Sequence, residues 1–244
     1  MSNGHKTQYT LEGNLDSDNP VVVFLHGWGG NLDSFSYFVG KIASSGCRTL
    51  NIAFAGHGES DSPDGAWGIA DYCKPLLDLL NTLEINKISI VGHSFGGRAG
   101  IWLSANYPDL VDKLILVDSA GLKPRRGLRY KYKVWKYKRA KTRGKDTSKY
   151  GSADYKALPA NIKDSFVKIV NEDLTSLLPK IKASTLIVWG TRDKDTPMYM
   201  AKKMLKEING SGFAKLDGAG HWGYAERPGE FMAILKSFLA NNKE

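Results

Sequence analysis

The sequence predicts an α/β protein with a mostly parallel central sheet flanked by helices. Short apolar runs without polar alternation, typical of strands buried on both faces, occur at residues 21–25, 88–91, 113–117 and 185–189. Amphipathic helical segments separate most of these runs, and strands that alternate with helices form parallel sheets through right-handed crossovers. The length of 244 residues suits one sizeable domain, or one domain with an insertion.

The same periodicities place the other elements in order. Further strands are predicted at residues 8–11, 48–53 and 212–216, the first as an edge strand. Pro75 is expected in the first turn of its helix or at a kink. Helices are predicted at residues 31–43, 71–83, 95–106, 129–141, 159–171, 174–178, 198–208 and 228–240.

Composition excludes several classes of protein. The chain is 42% hydrophobic and 24% charged, which is ordinary for a globular protein. No apolar run approaches the ~20 residues that a membrane-spanning helix needs, and residues 1–10 lack the apolar core of a secretory signal. The two cysteines, Cys47 and Cys73, do not make a disulfide framework. We therefore expect a soluble cytoplasmic protein.

The turn after the strand at 88–91 carries the strongest chemical signal. Its sequence, Gly92-His93-Ser94-Phe95-Gly96, fits G-x-S-x-G, in which a serine sits on a strained turn with its hydroxyl above the sheet. Glycines make such strain tolerable because they carry no Cβ. The helix that follows points its N-terminus, with free N–H groups, at the same place. Ser94 is therefore the candidate nucleophile.

Two other glycine-rich turns follow predicted strands. His26-Gly27-Trp28-Gly29-Gly30 comes directly after residues 21–25, and such a loop can bring a backbone N–H close to a substrate oxyanion. Gly56-His57-Gly58-Glu59-Ser60 follows residues 48–53, and we interpret His57 as a turn residue.

A serine hydroxyl needs a base within hydrogen-bond reach, and the base needs an orienting acid. Of the five histidines, His221 follows the last predicted strand and precedes the C-terminal helix, so it is the candidate base. Asp118, Asp193 and Asp195 each lie shortly after a predicted strand.

Together these motifs resemble those of the α/β-hydrolase superfamily over nearly the whole chain. The resemblance implies the α/β-hydrolase fold, with a core at residues 1–121 and 182–244 and a helical, basic lid at residues 122–181, inserted after the family's sixth strand. The family usually has a longer N-terminal hairpin than the strand at 8–11 allows, so we expect one strand to be missing or short.

The resemblance also implies a serine hydrolase of the carboxylesterase type, with Ser94, Asp193 and His221 as its catalytic triad. Asp193 matches the family's spacing from Gly190, so it is favoured over Asp195, and both are favoured over Asp118. The backbone N–H groups of Trp28 and Phe95 are the implied oxyanion hole. No metal and no other cofactor is implied.

The expected reaction is hydrolysis of the carboxylic ester of a small molecule through an acyl-enzyme. One alternative is a carbon–carbon bond hydrolase of the same fold, although many of those carry Gly-Asn-Ser where this chain has Gly-His-Ser. Another is a non-catalytic ligand-binding protein of the fold, which the intact Ser94, Asp193 and His221 set disfavours. The sequence leaves the substrate and the oligomeric state open.

The net charge of +9 is concentrated in one segment. Residues 123–150 contain 13 Lys or Arg and one Asp, which leaves 21 basic and 24 acidic residues elsewhere. The same segment contains Tyr130, Tyr132, Trp135 and Tyr137. It is interpreted first as a solvated lid helix, and then as a surface that attracts an anionic substrate or an acidic membrane. Nucleic-acid binding is the least favoured interpretation.

Overall fold

The computed structural model describes residues 5–14, 19–124, 128–144, 158 and 160–240. Its described strands form one seven-stranded sheet in the order β1-β3-β2-β4-β5-β6-β7. β1 pairs antiparallel with β3 and every other pairing is parallel, which confirms the predicted architecture. The strands are β1 (Tyr9–Glu12), β2 (Val21–Leu25), β3 (Thr49–Ile52), β4 (Ile88–His93), β5 (Val111–Val117), β6 (Ser184–Gly190) and β7 (Gly212–Leu216).

Helices connect most of the strands. They are α1 (Ser36–Ala43), α2 (Ile69–Thr82), α3 (Phe95–Asn106), α4 (Leu128–Thr142), α5 (Ala160–Asn171), α6 (Tyr199–Glu207), α7 (Gly223–Glu226) and α8 (Pro228–Ala240). Two short 3₁₀ helices are also present. Leu32–Ser34 lies at the start of the helix predicted at 31–43, and Thr175–Lys180 overlaps the helix predicted at 174–178.

Two helices differ from the prediction at Phe35 and at Pro75. The helix predicted at 31–43 is divided at Phe35, whose ring is fully buried and packs on Phe24 and Tyr224. α2 begins at Ile69, so Pro75 lies inside the helix; of the two alternatives predicted for it, the first-turn position is wrong and the kink stays a prediction.

Two apolar layers cover the sheet. In β2, Val21, Val23 and Leu25 join the layer that contains α2 and α3, whereas Val22 and Phe24 join the layer that contains α1 and α8. Because both faces of the central strands are buried, their sequences show continuous apolar runs instead of alternation.

The segment between β5 and β6 contains α4 and α5. The strand predicted at 113–117 is β5, so the segment follows the fifth described strand. Among the described residues, β1 is the one strand that precedes β2. Part of the predicted lid, at residues 125–127, 145–157 and 159, lies outside the described residues. In the parts that are described, no helix is both long enough and apolar enough to span a bilayer.

Gly96, in the first turn of α3, allows this helix to contact β2. A Cβ at this position would overlap the backbone carbonyl of Leu25. We expect Gly96→Ala to lower the free energy of unfolding by about 3 kcal/mol, because the overlap must be relieved by moving backbone. Urea unfolding measures the change.

Gly40 supplies a matched control for this substitution. It lies exposed in α1, and an added Cβ there would have no heavy atom within 4 Å. Gly40→Ala should therefore raise the free energy of unfolding by about 0.5–1 kcal/mol. Equal effects of the two substitutions would contradict the close packing of α3 on β2.

Candidate active site

Ser94 occupies a strained turn between β4 and α3. Its φ of 48° and ψ of −105° lie in a region that residues with a Cβ rarely adopt, at a cost of about 1–3 kcal/mol. Backbone hydrogen bonds hold the turn in place: the Ser94 N–H donates to the Val117 carbonyl over 3.1 Å, and the Ser94 carbonyl accepts from the Ala120 N–H over 3.0 Å. The end of β5 therefore fixes the position of the serine.

The structure brings Ser94, His221 and Asp193 into one hydrogen-bonded line. Ser94 Oγ lies 3.0 Å from His221 Nε2, and His221 Nδ1 lies 2.9 Å from Asp193 Oδ2. Because the carboxylate accepts, the proton belongs on Nδ1, which leaves Nε2 free to accept from the serine hydroxyl. His221 follows β7 and Asp193 follows β6, so the carboxyl ends of parallel strands assemble the group.

Asp193 is oriented by the turn that contains it. Its side chain is fully buried, and Oδ1 accepts from the backbone N–H groups of Asp195 and Thr196 over 2.8 and 3.0 Å. Oδ2 also accepts from the Thr196 hydroxyl over 2.5 Å. Burial alone would raise the pKa of Asp193, but the hydrogen bonds from His221 and Thr196 outweigh it and hold that pKa below its ordinary value.

His221 is correspondingly more basic. Burial opposes its protonation, but the hydrogen bond and the negative charge of Asp193 outweigh burial and raise the pKa of His221 above 6.5. The imidazole is therefore suited to take up a proton from Ser94.

The two alternative acids have other contacts. Asp195 is exposed, and its backbone N–H orients Asp193. Asp118 is fully buried, and its two carboxylate oxygens accept from the N–H groups of Gly190 and Gly223 over 2.7 and 3.3 Å. Burial raises the pKa of Asp118 to about 7. Asp118 therefore ties the end of β6 to the segment that follows His221.

The loop after β2 brings Trp28 beside Phe95, the residue after the serine. The two rings are in edge-to-face contact with centroids 4.9 Å apart. His57 Nε2 accepts from the Gly29 N–H over 3.1 Å, while its Nδ1–H donates to the Ala55 carbonyl over 3.1 Å. His57, predicted only as a turn residue, therefore also fixes the loop.

His26 holds the other side of this loop. Its Nδ1–H donates to the Gly27 carbonyl over 2.7 Å, and its Nε2 accepts from the Phe54 N–H over 3.0 Å. Burial lowers the pKa of His26 to about 3 and also lowers the pKa of His57. Both imidazoles are therefore neutral and act as fixed hydrogen-bonding groups.

His93 has a role that the sequence did not indicate. Its ring is fully buried, and Nε2–H donates to the His221 carbonyl over 2.7 Å. The Trp222 ring packs on it with centroids 4.8 Å apart. Burial lowers the pKa of His93 to about 3, so it is neutral. His93 therefore positions the backbone of the candidate base.

A cavity of about 450 Å³ lies against the Trp28 loop. Helix α5 forms one wall through Ile162 and Phe166, and the Phe166 ring contacts the Trp28 ring with centroids 5.1 Å apart. Hydrogen bonds fix this helix to the segment before α2: Ser165 Oγ accepts from the Trp67 N–H, and Lys168 Nζ donates to the Ala66 carbonyl. No lysine, arginine, aspartate or glutamate lines the cavity among the residues described.

One group of three described side chains could offer ligand atoms to a metal ion. Single ligand atoms of Asp193, Asp195 and His221 lie within 4.8 Å of one another. Asp193 and His221 already bond to each other, and a metal would compete with that bond. The absence of a metal remains a prediction from the sequence.

Comparison with known proteins identifies one family and several relatives. The family model described as alpha/beta hydrolase fold matches residues 20–154. The chain is 27% identical over 250 residues to the 2-hydroxy-6-oxononadienedioate/2-hydroxy-6-oxononatrienedioate hydrolase of Escherichia coli, covering 90% of this chain and 87% of that protein. Mycobacterial relatives are 34% identical over 121 residues, and the match spans 49% of this chain and about one third of their length.

Solved structures share the same fold. The enol-lactonase from Burkholderia xenovorans LB400 aligns with a TM-score of 0.79 at 23% identity, covering 98% of each chain. The esterase EaEST from Exiguobacterium antarcticum also aligns with a TM-score of 0.79 at 23% identity, covering 98% of this chain and 97% of that chain.

Proposed function

This chain belongs to the α/β hydrolase fold family, and from that premise we propose that it is a serine hydrolase that cleaves the carboxylic ester of a small molecule. The observation that carries the proposal is the continuous hydrogen-bonded line from Ser94 through His221 to the buried carboxylate of Asp193. A hydroxyl, a base and an orienting acid in this order are what acyl transfer to serine requires.

The geometry supports a two-step reaction. Ser94 Oγ attacks the acyl carbon while its proton passes to His221 Nε2, and the substrate carbonyl oxygen becomes an oxyanion that accepts from the N–H groups of Trp28 and Phe95. The C–O bond then breaks, and the alcohol leaves with the proton from Nε2. Water attacks the acyl-serine while His221 takes its proton, and collapse of this second intermediate releases the carboxylic acid and restores Ser94.

The supporting residues act through position. Asp193 keeps the proton on Nδ1 and stabilises the imidazolium that forms in each step. His93 and Asp118 hold the backbone on either side of His221, at its own carbonyl and at the N–H of Gly223. The helices between β5 and β6 are proposed to act as the lid, and Phe166 and Ile162 shape the acyl or alcohol pocket.

A carbon–carbon bond hydrolase is the second candidate, and the E. coli relative favours it. The compound that names that relative is a ketone with two carboxylates and no ester, so its hydrolysis breaks a C–C bond. Two carboxylates call for cationic partners in the pocket. We propose that the substrate extends from Ser94 into the cavity beside Trp28, whose described lining offers no cation; this supports a neutral ester for this chain.

Turnover of two substrates separates the candidates. An ester hydrolase should cleave short p-nitrophenyl esters with a kcat/KM at least about 10²-fold above that for 2-hydroxy-6-oxononadienedioate. Ser94→Ala should remove the faster activity. The reverse preference would replace the ester proposal with C–C cleavage, and folded protein without either activity would favour a binding role.

The pH profile provides a further prediction. The base must be neutral to accept the serine proton, so kcat/KM should rise with pH through an apparent pKa above 6.5, because Asp193 raises the pKa of His221. Initial rates with a neutral ester between pH 5 and 9 measure this limb. A limb centred well below pH 6, or none, would contradict the role of His221.

The raised pKa of His221 also makes folding stability depend on pH, and this dependence runs opposite to that of activity. A base with a raised pKa in the folded state binds a proton more tightly when folded, so this contribution is complete below the unfolded value of about 6.5. It is lost as pH rises through the folded pKa. Activity should therefore rise over the range in which this contribution to stability declines.

A further inference from the structure

Helix α4 concentrates positive charge on a short stretch of chain. Its sequence, LRYKYKVWKYKRAKT, contains seven Lys or Arg and no Asp or Glu. Outside residues 123–150 the acidic residues outnumber the basic ones, 24 to 21. A local field of this kind attracts an anionic partner to this helix and not to the protein as a whole.

One face of α4 presents both aromatic rings and cations to solvent. Tyr132, Trp135, Lys136 and Arg139 are exposed and recur at the spacing of one helical face. Tyr132 is 60% exposed and Trp135 is 52% exposed. Val134, Tyr137 and Ala140, which lie toward the other side of the helix, are half-buried. The aromatic pair therefore faces outward and does not complete the core.

The contacts of Trp135 indicate the kind of anion. Tyr132, one turn earlier, stacks on Trp135 with centroids 5.9 Å apart and planes at 26°. The Arg139 guanidinium, one turn later, lies 5.1 Å from the Trp135 ring centroid. A nucleobase binds by stacking on a free aromatic face. Here Tyr132 and Arg139 of the same helix already contact the indole, so a base that stacked on it would compete with these neighbours.

The positive charge is also separate from the cavity. Lys136, Lys138 and Arg139 are exposed, and the described lining of the cavity beside Trp28 contains no charged side chain. An anionic substrate in that cavity would not explain the exposed face of α4. A larger anionic partner that extends over this face would explain it.

We propose that this face of α4, defined by Tyr132, Trp135, Lys136 and Arg139 with the exposed Lys138 at its edge, docks on an anionic phospholipid surface. Tyrosine and tryptophan rings favour the headgroup level of a bilayer, where one edge contacts acyl chains and the other stays hydrated. The lysine and arginine side chains reach the lipid phosphates from the same face. Docking of this kind is peripheral and requires no spanning helix.

Flotation with lipid vesicles tests the proposal. The full chain should float with vesicles of phosphatidylcholine that contain about 30% phosphatidylglycerol, should stay unbound with phosphatidylcholine alone, and should be released at high salt. Ser94→Ala should bind as the wild type does, because docking does not depend on hydrolysis. Equal binding to both vesicle types would overturn the proposal.

Charge reversal at two sites distinguishes the contribution of this face to vesicle binding from the contribution of net charge. The triple variant Lys136→Glu, Lys138→Glu, Arg139→Glu should lower the partition coefficient at least about tenfold. The control triple Lys202→Glu, Lys206→Glu, Lys236→Glu changes net charge equally at exposed sites on α6 and α8, and it should lower the coefficient much less. Equal losses in both triples would show that the face has no specific role and would overturn the proposal.

A conservative variant tests the role of Trp135 while the chain stays folded. Anionic vesicles should shift the tryptophan fluorescence of the wild type to shorter wavelength, and Trp135→Phe should remove most of that shift while the chain stays folded. A full shift in Trp135→Phe would contradict insertion of this ring. A single-stranded oligonucleotide that binds more tightly than anionic vesicles, through the same lysines, would assign the face to nucleic acid instead.

Discussion

Replacement of Ser94 by alanine is expected to lower kcat for ester hydrolysis by about 10⁴-fold or more. The substitution removes one oxygen, which is hydrogen-bonded to His221 Nε2. Alanine has the same Cβ as serine, so the strain at φ 48° is unchanged. We therefore expect an unfolding transition within about 0.5 kcal/mol of the wild type.

Steady-state kinetics and urea unfolding on the same preparation measure both quantities. A Ser94→Ala variant that is folded and retains more than a few per cent of wild-type kcat would contradict the assignment of the nucleophile. A matched control is Ser36→Ala, since Ser36 lies at the exposed start of α1 and its hydroxyl donates to the Asp33 carbonyl. It should leave kcat unchanged.

Replacement of Asp193 by asparagine is expected to lower kcat by about 10³- to 10⁴-fold. The variant keeps the size of the side chain but removes the negative charge that fixes the proton on His221 Nδ1 and stabilises the imidazolium. An asparagine NH₂ facing Nδ1 would favour the wrong tautomer, with the proton on Nε2 facing Ser94. The loss should appear in kcat more than in KM.

Asp195→Asn and Asp118→Asn are the matched controls for this charge. Asp195→Asn should change kcat by less than about threefold, because its carboxylate is exposed and the backbone N–H that orients Asp193 is retained. Asp118→Asn places an amide NH₂ where a carboxylate oxygen accepts from a backbone N–H. It should lower stability by about 1–3 kcal/mol while activity falls less than in Asp193→Asn.

The relative losses of kcat in the three variants identify the carboxylate that orients His221. If Asp195→Asn or Asp118→Asn lowers kcat as far as Asp193→Asn does, the acid assignment is wrong. Normal kcat in all three variants would contradict a carboxylate-oriented base.

Local sequence patterns were sufficient for the parts of the site that follow strands directly. Ser94 is marked by glycines that the strained turn requires, and His221 and Asp193 each follow a strand that was predicted from the sequence. The carboxyl ends of parallel strands share one edge of the sheet, so positions distant in sequence were predictable neighbours. The fold was predictable for the same reason, since central strands buried on both faces show uninterrupted apolar sequence.

The groups that position Ser94, His221 and Asp193 were not predictable in this way. His93 and His221 are 128 residues apart, and nothing near either one indicates that the imidazole of the first bonds the carbonyl of the second. The sequence left Asp118 as a candidate acid, but its carboxylate oxygens accept hydrogen bonds from the N–H groups of Gly190 and Gly223. Such contacts depend on how two loops are packed, whereas periodicity reports only which face of an element is buried.

The central claim is that Ser94 is a nucleophile activated by His221. Its most direct test is treatment of the folded protein with a fluorophosphonate, followed by mass spectrometry of the proteolytic peptides. The account predicts one adduct per chain, on Ser94, that is absent from urea-unfolded protein and greatly slowed in His221→Ala. A folded chain that takes up no label, or takes it up on another residue at the same rate in His221→Ala, would contradict it.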